Sequence, residues 1–233
     1  MKKHIVFVLA LIVFTSCGTT RYNTGVKIAD IREFAFLQPC SYMDLFETEG
    51  GYYSQYYSDK AAQTVENVIN SERFPFSEMI PADYYSNNGE NNDALQWAVG
   101  LPNIKASDID RMRVPKSLIK LLENNKERYG VFIYTYGYVT TVEAYEKEKR
   151  EKEISKAVDD LAESLTGVKG LTNPSRDYNP STPYGNEMVC VVIDKVEDRL
   201  VYYAKQTPAF PSHPTDDEDV RKMLHDLLKD FIR

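Results

Sequence analysis

The residues best able to do chemistry in this 233-residue chain are three cysteines, seventeen tyrosines and three histidines. His213 lies between prolines in a predicted loop, and His225 lies on the polar side of a predicted helix. Neither has a second ligand at a spacing that suits zinc. The chain contains no Gly-x-Ser-x-Gly, His-Glu-x-x-His or Gly-x-x-x-x-Gly-Lys motif. The sequence therefore predicts no catalytic residues, no metal site and no cofactor.

Cys40 and Cys190 are two thiols with two interpretations. Cys40 follows a proline, and Cys190 lies within an apolar stretch. In an oxidising compartment two such thiols are able to form a disulfide. A cysteine inside an apolar strand is more typical of a small buried core residue. The sequence favours the core interpretation and leaves the disulfide open.

Tyrosine is unusually abundant, and one cluster follows the glycines at positions 50 and 51. The cluster consists of Tyr52, Tyr53, Tyr56 and Tyr57. Exposed tyrosines stack on sugars or anchor contacts between proteins. Because loops seldom carry four aromatic residues without a contact to make, we expect a ligand or partner contact here. The tyrosines that alternate along residues 134–138 are more typical of a half-buried sheet face.

The third cysteine, Cys17, follows a segment typical of an export signal. Lys2 and Lys3 form a positive amino-terminal region, and residues 5–14 are an unbroken apolar run. This run is about half of the ~20 residues that a helix needs to cross a bilayer. It therefore predicts a signal peptide and not a membrane span. The simpler alternative is an ordinary secretory leader with an incidental cysteine.

The residues Phe14-Thr15-Ser16-Cys17-Gly18 resemble the lipobox of bacterial lipoproteins, in which small residues precede a cysteine. The resemblance implies that a diacylglycerol is joined to the sulfur of Cys17 and that residues 1–16 are removed. Phe14 departs from the leucine that is commoner at this position. Each buried methylene contributes about 0.8 kcal/mol, so two or three acyl chains attach a protein stably to a membrane. By the same resemblance, no aspartate that would signal inner-membrane retention follows Cys17, and no acidic run that would signal surface export follows it. We therefore expect the periplasmic face of a Gram-negative outer membrane.

The chain is acidic, with 28 Lys and Arg against 35 Asp and Glu and a formal charge of −7. Loss of residues 1–16 removes Lys2 and Lys3 and no acid, so the mature charge becomes −9. This balance argues against a general nucleic-acid binder, which needs a basic face. An acidic body is not drawn to anionic headgroups, so the acyl chains on Cys17 must supply the attachment to the membrane. We expect the membrane and an envelope protein or the cell wall as partners.

Hydrophobic periodicity predicts the elements that position these residues. Strands are predicted at residues 26–37 and 131–141, and a hairpin is predicted at residues 188–196 and 200–206. Helices are predicted at residues 59–73 after Ser58, at 115–128 and at 143–166. A last helix follows a capping box formed by Thr215 and Glu218. These elements predict an α/β fold, in which a compact mixed sheet has helices packed on it.

The predicted organisation is a signal peptide at residues 1–16, a polar tether at 17–25 and a single α/β domain at 26–233. Within the domain, residues 143–186 are a charged helical insertion followed by a loop. The loop is rich in proline and asparagine.

Two segments resemble known periplasmic lipoprotein domains in their pattern. Residues 115–141 predict a helix before a central strand, and residues 189–204 (VCVVIDKVEDRLVYYA) predict a hairpin before the final amphipathic helix. The arrangement is similar to the domain of the curli-pore lipoprotein and to the amino-terminal part of TolB. The likeness extends over residues 26–75 and 115–233, while residues 76–112 and 143–166 have no counterpart. It implies an assembly or scaffold role.

The expected function is a non-enzymatic binding or assembly role in the cell envelope, for a protein anchored by lipid. One alternative is a carbohydrate- or peptidoglycan-binding module that uses the tyrosine cluster at residues 52–57. A second alternative is an envelope hydrolase with carboxylates brought together from distant segments.

Overall fold

The computed structural model describes residues 19–72, 74–85, 92–166 and 182–231. The strands are β1 (Thr19–Asn23), β2 (Phe34–Leu37), β3 (Cys40–Glu47), β4 (Gly50–Tyr53), β5 (Phe76–Ile80), β6 (Tyr129–Thr140), β7 (Tyr184–Asp194) and β8 (Arg199–Gln206). The α-helices are α1 (Gln55–Ser71), α2 (Asn92–Gly100), α3 (Lys116–Glu123), α4 (Val142–Thr166) and α5 (Asp217–Leu228). Short 3-10 helices lie at Ile28–Asp30, Leu101–Asn103, Ala106–Arg111 and Lys229–Phe231.

The longest strand, β6, lies inside a mixed sheet. β7 pairs with it in antiparallel fashion along one edge, and β8 and then β1 follow. Along the other edge, β2 pairs in parallel with the first part of β6, and β3 pairs in parallel with the second part. β5 extends the sheet beyond β2, and β4 extends it beyond β3. This architecture confirms the predicted α/β fold with a mixed sheet.

Alternate residues of the strands face two separate hydrophobic layers. On one face, Ile133 and Cys190 pack with Val65 of α1 and Leu224 of α5. On the other face, Phe132 and its neighbours pack against α2 and α3. A fully buried side chain of this kind contributes about 1.5–3 kcal/mol. Burial on both faces therefore fixes the sheet between its helical layers.

The predicted polar tether is wrong for residues 19–23, which form an edge strand. β1 pairs with β8 in antiparallel fashion, and Thr19 lies opposite Gln206. An edge strand pairs on one side alone, so polar side chains on its exposed surface are compatible with pairing. Tyr22 packs against the hydrophobic layer on the α2 and α3 side. Residues 19–23 are therefore part of the folded sheet.

The amino-terminal third contains more strands than predicted. The strand predicted at residues 26–37 is reduced to β2, which follows a short 3-10 helix, and β3, β4, β5 and helix α2 were not predicted. The helix predicted at residues 59–73 is confirmed, but α1 begins earlier. Ser54 is its N-cap, and the Ser54 hydroxyl accepts a hydrogen bond from the Tyr57 backbone N–H. The predicted cap, Ser58, lies inside the helix and has another role.

The later part of the chain follows the prediction more closely. β6, α4, the hairpin of β7 and β8, and α5 are all present, and α3 is shorter than predicted. The N-cap of α5 is Asp216 and not Thr215, because the Asp216 carboxylate accepts hydrogen bonds from Glu218 N and Asp219 N. Residues 167–181 of the predicted insertion lie outside the described residues. Residues 184–186, predicted as loop, begin β7.

The turn between β7 and β8 is organised by one buried carboxylate. The Asp194 side chain is 1% exposed and accepts hydrogen bonds from Arg128 Nε at 3.0 Å and from Arg128 Nη2 at 2.6 Å. It also accepts one from Val196 N at 3.0 Å. Burial raises the pKa of Asp194, but the bonds from Arg128 and the turn backbone outweigh it, so that the pKa is lowered.

Candidate functional site

The outer edge of β3 is closed by side chains where no strand covers it. The Tyr85 hydroxyl accepts a hydrogen bond from Ser41 N at 2.8 Å and donates one to the Ser41 carbonyl at 2.7 Å. Further along the strand, the Ser58 hydroxyl accepts from Met43 N at 2.9 Å, and Ser54 N donates to the Met43 carbonyl at 2.8 Å. The first turns of α1 and the tyrosine after β5 therefore satisfy this edge.

An open cleft of about 430 Å³ lies beside this edge. It is bounded by the gap between β2 and β3, by one side of α1 and by the segment that follows β5. Its lining includes the carboxylates of Asp59, Glu66 and Asp83. It also includes the amides of Gln38 and Gln63 and the phenol of Tyr85. Because this concave surface gathers several hydrogen-bonding side chains, it is a candidate site for a small polar ligand.

The walls of the cleft are held by hydrogen bonds to Gln38. Gln38 N donates to the Ile80 carbonyl at 2.9 Å, and Gln38 Oε1 accepts from Ala82 N at 2.8 Å. The Tyr84 hydroxyl donates to the Gln38 carbonyl at 3.0 Å. These bonds fix the segment after β5 across the gap between β2 and β3, so the cleft is preformed.

A chain of hydrogen bonds connects the cleft to the tyrosines of the sheet. The Tyr53 hydroxyl donates to Gln55 Oε1 at 2.9 Å, and Gln55 Nε2 donates to Asp59 Oδ1 at 2.6 Å. The Tyr53 ring lies 4.9 Å from the Tyr42 ring, measured between centroids. Tyr53 therefore connects Asp59, in the lining of the cleft, to the aromatic side chains of the sheet.

The thiol and phenols at the back of the cleft are neutral groups. Burial raises the pKa of Cys40 to about 12, although its hydrogen bond with Tyr85 lowers it in part. Burial also raises the pKa values of Tyr84 and Tyr85 above the ordinary phenol value. A protonated thiol is a poor nucleophile, and Cys40 and Tyr84 are buried, so these side chains support the wall of the cleft and are not reactive groups.

The four clustered tyrosines do not form one platform. Tyr52 lies opposite Leu45 and Tyr53 lies opposite Asp44, so the two neighbours point to opposite faces of the sheet. Tyr56 is 63% exposed on α1 and packs edge to face with Tyr57. Tyr53 is the member connected to the cleft lining, through Gln55 and Asp59. A partner contact made by the other three stays a prediction.

The structure contradicts the disulfide, because Cys40 and Cys190 are both free and buried. Cys40 is paired with Tyr134 and Cys190 with Ile133, and these two neighbours on β6 point to opposite faces. The two cysteines also lie on strands separated by β6, about 9–10 Å apart at the usual strand spacing. A disulfide needs α-carbons within about 7 Å, so the bridge is excluded by strand register.

Three further predictions concern the lipid attachment site, metal binding and membrane-spanning helices. Cys17 lies outside the described residues, so lipid attachment stays a prediction. In the described ranges, no group of three or more His, Cys, Asp or Glu side chains is placed to hold a metal ion. Among the same residues, no helix is long and apolar enough to span a bilayer.

Comparison with known proteins yields weak structural similarity alone. No protein-family model matches the sequence, and no curated protein matches it significantly. A variant of PelC from Paraburkholderia phytofirmans, solved as a dodecamer, is 9% identical over 92% of this chain and 97% of that chain, with a TM-score of 0.40. A second PelC dodecamer structure from that organism is 6% identical over 92% and 96%, with a TM-score of 0.38.

A DUF4136 family protein from Bacteroides thetaiotaomicron is 8% identical over 91% of this chain and 94% of that chain, with a TM-score of 0.31. Similarities of this size carry no inference about function or assembly. The predicted likeness to the curli-pore and TolB domains is likewise without a matching family model and stays a prediction.

Sequence reasoning missed most of the cleft. Its lining comes from residues 38–39, 59–66 and 82–85, three segments with no shared motif. The pair Tyr84 and Tyr85 stands out in the sequence as aromatic residues in a polar region. Their hydrogen bonds to the backbone of Gln38 and Ser41 could not be derived without the strand pairing.

Proposed function

We propose that this protein is a lipid-anchored component of a Gram-negative cell envelope with a binding or assembly role that is not enzymatic. The anchor is the lipid on Cys17, at the periplasmic face of the outer membrane. The observation that carries the binding role is the preformed cleft at the outer edge of the sheet. The observation that supports the anchor is the sequence of residues 14–17.

The chemistry of the cleft supports binding over catalysis. The buried thiol of Cys40 has a pKa of about 12, so it is protonated at neutral pH and unsuited to nucleophilic attack. The Tyr85 hydroxyl is occupied by both backbone groups of Ser41, at 2.8 and 2.7 Å. It is therefore a structural group in the wall of the cleft and not a free acid or base.

Metabolic labelling with a palmitate analogue tests the anchor. The wild-type chain should incorporate the label and stay in the membrane fraction after washing with high salt. Cys17→Ser should lose both properties, while the matched control Cys40→Ser should keep both. Equal labelling of the wild type and Cys17→Ser, or no labelling of either, would refute the anchor.

A second candidate function is carbohydrate binding, which the composition of the cleft favours. Planar carboxylates and amides pair with adjacent sugar hydroxyls, and tyrosine rings pack against the apolar faces of sugars. Asp59, Gln63 and Glu66 supply such groups from one side of α1, and Tyr53 is linked to Asp59 through Gln55. These groups support a glycan contact in the cleft over one at the exposed Tyr56.

Sedimentation with purified peptidoglycan tests this candidate. Glu66→Gln combined with Asp59→Asn should reduce binding, while Glu153→Gln on the exposed surface of α4 removes a charge and should leave binding unchanged. Equal binding by all variants would remove the cleft as the glycan site. Release of soluble fragments by the purified protein would replace the binding role with the envelope hydrolase alternative.

A further inference from the structure

The folded body begins very close to the predicted lipid. Strand β1 starts at Thr19, two residues after Cys17. Two residues of extended chain span at most about 7 Å. Thr19 pairs with Gln206, the last residue of β8. The end of β8 and the loop that follows it are therefore held near the acyl chains.

The loop at residues 207–211 is exposed, uncharged and fixed at both ends. Phe210 is 82% exposed, the largest exposed fraction among the large apolar side chains described. The Thr207 hydroxyl donates to Glu187 at 3.2 Å, and the Ser212 hydroxyl is 3.1 Å from Met223 Sδ. A large aromatic side chain is thus presented to the outside on an ordered loop.

We propose that residues 207–211 dock on the lipid bilayer, with Phe210 inserted beside the acyl chains of the anchor. The proposal rests on the proposed lipidation of Cys17. Aromatic side chains partition favourably into the interface between headgroups and acyl chains. Pro208 and Pro211 flank the insertion and have no backbone N–H that would be left unpaired in lipid.

The short connection to Cys17 favours a bilayer over a protein as the occupant of this surface. A long tether would leave the body free to present Phe210 elsewhere, but two residues keep it at the membrane. The hairpin of β3 and β4 points to the same end of the sheet and exposes Tyr52. It also carries Glu47 and Glu49, which keep it in the aqueous layer. Insertion is therefore assigned to the uncharged loop.

Tryptophan fluorescence of the lipidated full-length chain tests the docking. The sole tryptophan is first removed as Trp97→Phe, and a new one is introduced as Phe210→Trp or, as a control, Val196→Trp. Val196 is 70% exposed in the turn between β7 and β8, at the opposite end of the sheet. The proteins are reconstituted in phosphatidylethanolamine vesicles with and without lipids brominated along the acyl chains.

Emission from Phe210→Trp should shift to the blue and lose intensity with brominated lipid, while emission from Val196→Trp should not change. Equal behaviour of the two variants would overturn the proposal. A blue shift without quenching would indicate a protein contact and would also overturn it. In the lipidated wild-type chain, amide hydrogen exchange at Ala209 and Phe210 should slow on reconstitution. This measurement tests the docking without any substitution.

Palmitate labelling of the same preparations separates this proposal from the proposed function. If the protein carries the palmitate label but its Phe210→Trp emission is not quenched, the anchor is supported and the docking proposal is refuted. Protein without label on Cys17 loses the anchor, and the docking proposal falls with it.

Discussion

Tyr85→Phe removes a single oxygen that satisfies two backbone groups. The Tyr85 hydroxyl is the partner of Ser41 N at 2.8 Å and of the Ser41 carbonyl at 2.7 Å, on the part of the outer edge of β3 that β4 does not cover. The substitution leaves the ring in place, so packing against the cleft is kept. The change therefore isolates the hydrogen bonds that seal this edge.

The expected loss of stability follows from the number of groups left unpaired. A buried backbone donor or acceptor without a partner costs about 1–3 kcal/mol. Because Tyr85 lines an open cleft, water replaces part of the lost bonding, and we expect a net loss of about 2 kcal/mol for Tyr85→Phe. Tyr84→Phe removes one bond, to the Gln38 carbonyl at 3.0 Å, and should cost about half as much.

Urea unfolding of the three proteins measures these differences, with Tyr52→Phe as an exposed control. The Ser41 amide should also exchange faster in Tyr85→Phe, because its acceptor is gone. A Tyr85→Phe protein as stable as Tyr52→Phe, with unchanged exchange at Ser41, would refute the sealed edge.

Three further predictions concern the rest of the fold. The bonds from Arg128 lower the pKa of Asp194 in the folded protein, so the ionised carboxylate contributes its full stabilisation above the unfolded pKa near 4 and loses it as the pH falls through the folded pKa. The free energy of unfolding should therefore fall less between pH 7 and pH 3 in Asp194→Asn than in the wild type. Parallel curves for the two proteins would contradict this. Asp216→Ala should destabilise the protein by about 1 kcal/mol in thermal unfolding and Thr215→Ala by much less, and the reverse order would restore the predicted capping box. The two buried thiols, Cys40 and Cys190, should react with a thiol reagent only after the protein unfolds. Rapid labelling of the folded protein would contradict their burial.

The sequence predicts elements whose signals are local. The helix α5 carries apolar residues at helical spacing, and β6 is rich in β-branched and aromatic residues, so both are evident without the fold. β3 and β4 are different, because Asp44 and Glu47 interrupt the apolar pattern. β4 pairs with β3, and β3 is held in the sheet by pairing with β6, which lies far along the chain. Such non-local pairing leaves little trace in the sequence.

The candidate site depends on register in the same way. The choice between a disulfide and two free thiols was decided by strand order and register, because Cys40 and Cys190 lie on strands separated by β6 and face opposite sides of the sheet. Similarly, Tyr52 and Tyr53 appear as one cluster in the sequence but lie on opposite faces of β4. Residue types alone identified the aromatic segment, and the folded structure shows that Tyr53 is the member linked to Asp59 of the cleft.

Mass spectrometry of the mature protein, purified from its native envelope in detergent, is the most direct test of the account. We expect an amino-terminal peptide that begins at Cys17 and carries a diacylglycerol on the sulfur. An unmodified amino terminus, a start at another residue, or recovery of the protein from the soluble fraction would contradict it.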